Sequence, residues 1–255
     1  MLPLRTSILS ARAVGACLFL ACSLGLTGCA TTVARTGRVH QAAAAQLPTI
    51  RTTAVVPPAI TLNQLTAGGV REQRDDWTQA ARAAARESLE TMRPENLVYL
   101  RDAELPPEIA TEIAEVQALY RAVDLNLTLF GNPMVRMPTL AGRFDFSVGS
   151  VDRICEAAGA DALLLVYGED DYFTGDRKAL IALGFVAAAF TGVYVAPGNG
   201  AEHLSAALIA RDGTILWYDV LGAGQLGDLR KPEGVKANLE NLLRSMPSGD
   251  TAPAM

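Results

Sequence analysis

The sequence predicts a single layered α/β domain with a mixed sheet, a C-terminal β-hairpin and a C-terminal helix. Three observations predict it. Ala162-Leu163-Leu164-Leu165-Val166-Tyr167 is continuously apolar, as a strand covered on both faces requires. Apolar residues recur at three and four over 77–92 and 109–123, the spacing of helices that lay one stripe on a sheet. Asp212-Gly213 lies between the apolar runs 205–210 and 214–220, and Asp-Gly in that setting marks a tight hairpin. The 255 residues are 50% hydrophobic and 19% charged, which excludes disorder over most of the chain and supplies a core.

Each element has its own signature. Thr53-Ala54-Val55-Val56 reads as a short strand stopped by Pro57-Pro58. Trp77, Ala81, Ala84, Ser88 and Met92 then share one helical face, and Pro94 marks that helix's end. Residues 97–100 are a second candidate strand. After Leu105-Pro106-Pro107, the residues Ile109, Ile113, Val116, Tyr120 and Val123 define another helix, with Pro107 in its first turn, where a missing N–H does no harm. Ser150 can cap a short helix that turns Ile154 and Cys155 inward, and Gly159 can close it in the left-handed conformation. Pro232 opens the last helix, whose inner side is Val235, Leu239, Leu242, Leu243 and Met246. Residues 247–255 read as a disordered tail.

The N-terminus is an address. Arg5 and Arg12 precede an apolar run that is too short to span a bilayer, the pattern of a secretory signal peptide over 1–28. Leu26-Thr27-Gly28-Cys29 closes it, and here the chain resembles bacterial lipoproteins, whose lipobox ends in a cysteine. That resemblance implies diacylglyceryl transfer to the Cys29 sulfur, cleavage before Cys29 and acylation of the new terminus, commonly with palmitate. Two or three acyl chains anchor a protein stably without a transmembrane helix. Ala30 follows Cys29, and lipoproteins kept in the inner membrane commonly carry Asp there; the resemblance therefore implies the outer membrane, facing the periplasm. Residues 29–50, with no apolar periodicity, read as a lipidated flexible tether, and 51–246 as the body. Cys17 and Cys22 leave with the leader, so Cys155 is the one free thiol expected in the mature chain, a small buried hydrophobe rather than a nucleophile.

The body adds a second resemblance. Val55-Val56-Pro57-Pro58, a long helix, Gly159-Ala160-Asp161-Ala162-Leu163 leading into a strand, and an Asp-Gly hairpin with Leu216-Trp217 look like periplasmic lipoproteins related to the curli-secretion channel component. The N-terminal domain of the Tol translocation protein shares that general layout. The resemblance implies a compact α/β domain used in envelope assembly or transport, with no catalytic residues to carry over. One departure is the apolar insert 179–196, where channel-forming members place alternating strands. Three placements fit the insert: a buried core or subunit-contact helix, which is the expectation, a helix dipping into lipid, or a span. A span would set Arg177 and Lys178 on the exported side, against the positive-inside tendency.

Chemical motifs are few. Gly222-Ala223-Gly224-Gln225-Leu226-Gly227 matches the dinucleotide fingerprint formally, but Pro232 delays the helix and no second strand follows to supply an acid for the ribose, so it reads as a flexible loop. Glu169-Asp170-Asp171 with Asp176 fits no calcium-loop spacing and reads as a solvated strand-end loop. The two histidines are His40, in the tether, and His203; a hydrolase triad would hang on His203 alone. A formal charge of -5 argues against a nucleic-acid partner. The sequence thus predicts no enzyme, no cofactor and no metal site. It predicts an acyl-anchored structural or accessory component of envelope assembly or transport, with the bilayer, a second copy or an envelope protein as partners. The alternative is a periplasmic ligand- or peptide-binding module using the loops of 169–176; a hydrolase stands third.

Overall fold

In the computed structural model the described residues are 37–92, 97–101, 105–130, 144–193 and 200–247; the leader, Cys29 and residues 248–255 lie outside them. Among the described residues, eight strands make one mixed sheet. They are β1 (Arg38–Val39), β2 (Thr53–Val55), β3 (Ala59–Leu65), β4 (Arg71–Gln73), β5 (Leu97–Tyr99), β6 (Ala162–Phe173), β7 (Glu202–Ala210) and β8 (Ile215–Leu221). The helices are α1 (Ala43–Gln46), α2 (Asp75–Thr91), α3 (Pro107–Phe130), α4 (Asp152–Ala158), α5 (Gly175–Thr191) and α6 (Pro232–Leu243). The mixed sheet, the C-terminal hairpin β7–β8 and the closing helix α6 are the architecture the sequence predicts.

β6 is the axis. It pairs antiparallel with β7 along one edge and parallel with both β2 and β3 along the other. Its alternation explains the continuous apolar run: Leu164 and Val166 enter the layer under α2 and α6, while Leu163 and Leu165 enter the layer under α3 and α4. α2 buries Ala81, Ala85 and Leu89 on the first face, and α3 buries Ile109, Ile113, Val116 and Tyr120 on the second. Asp75 and Asp76 sit in the first turn of α2, where carboxylates suit the helix dipole. Gly159 closes α4 at φ 62°, and Ser150 Oγ accepts the Asp152 N–H just before that helix.

Two expectations are corrected, and one strand is added. The first strand ends at Val55, before Pro57-Pro58, as expected, but β3 follows the prolines. Thr53 stands opposite Ala162 and Ala59 opposite Tyr167, so the chain rejoins the same edge of β6 after the prolines with a slip of one residue. The prolines fall in the gap, where no N–H is required. The tether reading fails over 37–50: β1 pairs with β8, and Ala43 and Leu47 are buried in the core layer of α2 and α6. Small alanines without periodicity hid that contact. Finally, 169–173 are not a loop, because β6 runs through to Phe173.

Candidate functional site

At the far end of β6 the sheet alternation sorts the acids that the sequence places side by side. Glu169 and Asp171 face α3, Asp170 faces the α2/α6 layer, and Asp176 lies in the first turn of α5. They therefore do not converge, and among the described residues no group of three or more His, Cys, Asp or Glu could hold a metal ion. Asp171 is structural. Its carboxylate accepts from Asn63 Nδ2 at 2.9 Å and from the Ala201 N–H at 2.7 Å, and it pairs with Arg71 at 2.7 Å. Asp170 is buried beside Tyr172, with Glu202 and Asp171 nearby, and burial is the main cause raising its pKa to about 6.

On the α3 side a cleft of about 500 Å³ opens between the end of α3 and the first residues of β7. Arg121, Asp124, Tyr167, Glu169, Glu202 and His203 supply its polar wall. Asp124 is buried, accepts the Tyr218 hydroxyl at 2.9 Å, and lies 2.7 Å from His203 Nε2. The carboxylate sits outside the arc in which that ring N–H would donate well. The Tyr167 and His203 rings stand 5.8 Å apart. Glu169 accepts the Tyr167 hydroxyl at 2.9 Å and holds Arg71 and Arg121 at 2.5 and 3.3 Å. Burial together with the Glu169 bond pushes the Tyr167 phenol up to about 12, so it stays a hydrogen-bond donor at neutral pH. The Arg121 guanidinium lies 5.7 Å from the centroid of the Tyr167 ring.

The wall offers charge and aromatic surface rather than a nucleophile. Ser205, on the same face of β7 as His203, has its Oγ taken by the Tyr120 hydroxyl at 3.0 Å. Arg121 is 62% exposed in its side chain and is the arginine that lines the cleft beside three carboxylates. That arrangement can hold a cationic group against Glu169 and the Tyr167 ring. Sequence reasoning misses Asp124, Tyr167 and Arg121, because α3 and β6 are far apart in the chain; the one signal is the polar pair Arg121 and Asp124 on a helix with an apolar inner face.

The other candidates resolve separately. His40 is buried near the body: its Nδ1 accepts the Ala42 N–H at 3.0 Å and its Nε2 faces Asp145 at 3.3 Å, far from any role in a tether. In the glycine loop, Gly224 N–H donates to Glu202 at 3.0 Å and Gly227 N–H to Asn238 at 2.9 Å. A carboxylate and an amide thus occupy donors that a phosphate cradle would need free. Cys155 is buried, and burial raises its thiol to about 11.

α5 overturns the expected core placement of the insert. Leu183, Phe185, Val186 and Phe190 are more than half exposed, Phe190 at 87%, because both faces of the sheet are already covered by α2, α6, α3 and α4. The helix is capped by Thr174, whose Oγ1 accepts the Arg177 N–H, and by Gly192 at φ 71°. Arg177 alone in it is buried; its guanidinium donates to the Thr66 carbonyl at 3.0 Å and lies over the Phe173 ring. No helix among the described residues is long and apolar enough to cross a membrane. Residues 194–196 of the insert lie outside the described residues.

Compared with protein-family models, with curated proteins and with solved structures, the chain matches none.

Proposed function

We propose that this chain is an acyl-anchored envelope lipoprotein, held at the outer membrane and facing the periplasm, whose body is a structural or accessory component of envelope assembly or transport. The observation that carries the reading is α5, an apolar helix standing outside a core already covered on both faces. Exposed apolar surface of that extent marks a contact with a partner or a membrane. Leu26-Thr27-Gly28-Cys29 supports it from the sequence, since acylation at Cys29 would put the body beside lipid. Metabolic labelling with a palmitate analogue tests it: the intact chain takes label and Cys29→Ala does not. Equal label in both sinks the reading.

The cleft favours a second reading, a binding module for a ligand or peptide carrying a basic group. Three carboxylates and the Tyr167 ring line it with Arg121, and Glu169 also meets Arg71. Titration with an arginine-containing peptide should show saturable binding that Glu169→Gln weakens about tenfold, the loss of one charged partner.

A further inference from the structure

From the exposure, length and position of α5, we infer that it inserts into the hydrocarbon of one leaflet, so that the protein is held in the bilayer by a helix as well as by acyl chains. The inference takes its proximity to lipid from the anchored reading above; the nature of the contact comes from the helix itself.

α5 has no polar side. From Ala179 to Val193 the chain carries no charge, and the hydroxyl of Thr191 is turned back onto the Ala187 carbonyl at 3.0 Å. Leu183 and Phe185, two residues apart and so about 160° apart around the helix, are 65% and 59% exposed. A groove on a partner, or the same helix in a second copy, covers one side of a helix and leaves the other in water. Hydrocarbon covers both flanks at once, leaving the half-buried stripe of Ile181, Gly184 and Ala188 to the body, and the helical backbone bonds satisfy the polar groups of the main chain there.

The length suits a tilted helix held largely within one leaflet. The uncharged stretch Ala179–Thr191 rises about 20 Å, more than half of a hydrocarbon core of about 30 Å and less than its whole. Its lower limit is sharp. Lys178 is exposed immediately before Ala179, at the level of the headgroups, while Arg177 fastens the base of the helix to the Thr66 carbonyl.

The chain also leaves the body on the correct side. β1 sets Arg38 opposite Tyr218 and Val39 opposite Trp217, so followed backward the chain runs toward Leu221. Leu221 stands opposite Leu204, and Leu204 opposite Gly168, which places that exit at the end of the sheet where β6 passes into α5. Because 37–50 belong to the body, only eight peptide steps separate Gly37 from Cys29, a contour of at most about 29 Å. An acylated Cys29 therefore keeps the α5 end of the sheet within reach of the bilayer.

The full-length acylated protein tests this directly. Val186→Cys carries an environment-sensitive fluorophore, which the buried Cys155 does not compete for, in vesicles of zwitterionic phosphatidylcholine brominated at a defined acyl depth. Acyl-chain bromines should quench the label, and Leu183→Asp with Phe190→Asp should lower that quenching at least tenfold while leaving the melting temperature in detergent unchanged. A label that stays in water on a protein that carries palmitate and floats with the vesicles overturns the inference and leaves the anchor standing. Quenching that persists with Cys17, Cys22 and Cys29 replaced by Ala, where the chain with Cys29 takes no palmitate, supports insertion and removes the anchored reading. A label shielded from water but untouched by the bromines, in particles with the mass of a dimer or ring, overturns insertion in favour of a second copy.

Discussion

Gly213 and Gly149 touch through their backbones: a β-carbon on Gly213 would lie 1.9 Å from the Gly149 carbonyl oxygen, and φ there is +87°. Gly213→Ala should therefore cost ~3 kcal/mol in chemical denaturation, through strain and the displaced carbonyl together. The Asp-Gly pair shows that residue in the sequence, but its contact with residue 149 comes only from the fold. Asp124 is the reverse case, silent in the sequence and central in the structure. Asp124→Ala leaves the buried Tyr218 hydroxyl and His203 without their carboxylate, and should lower stability by ~2–4 kcal/mol; Asp124→Asn, which keeps an acceptor for Tyr218, should lose less. Asp170 sets a pH dependence. Its pKa is raised to about 6 in the folded protein from 3.8, so between those values the folded chain binds the extra proton and stability falls as pH rises. Acidifying from pH 7 to 5 should raise the melting temperature, and Asp170→Asn should abolish that rise. Asp228, held down to about 2 by Arg230, acts oppositely, and its contribution fades as pH drops from 4 toward 2.

Periodic elements were legible and irregular ones were not. α2, α3 and α6 announce themselves because one stripe of each is buried and the spacing of that stripe is a property of the helix. β3 escaped notice because a strand resumed after two prolines looks, residue by residue, like a strand that has ended. α1 escaped because four residues, AAAQ, carry no period. Its burial is nonetheless complete at Ala43, so Ala43→Glu should unfold the domain or lower its stability by ~3 kcal/mol or more, where a free tether would register no change on a thermal melt. α5 shows the limit of hydropathy most plainly. An uncharged run says that water is a poor surround, and whether protein or another medium takes its place depends on how much sheet surface other helices have already claimed.

For the whole molecule, the order of the strands decides more than any single contact. The sheet class and its closing hairpin followed from local patterns, whereas the cleft did not, since its wall joins the end of α3 to β6 and β7 across distances that no local pattern records. The same topology dictates when the molecule can assemble. β1 pairs with β8 across about 180 residues, Arg38 to Tyr218, and β2 pairs with β6 across about 110, Thr53 to Ala162. Contacts this remote make folding slow, because a long loop must close before any of them contributes. A chain delivered N-terminus first can pair Ala59–Leu65 only with Arg71–Gln73, and Thr53–Val55 only with Leu97–Tyr99, until β6 arrives, and the edge of β8 is sealed only by a segment that emerged at the outset. Chains ended before Thr214 should then stay protease-sensitive, because β1 has no partner strand and the layer under α2 lacks Trp217, Leu221, Leu239 and Leu242.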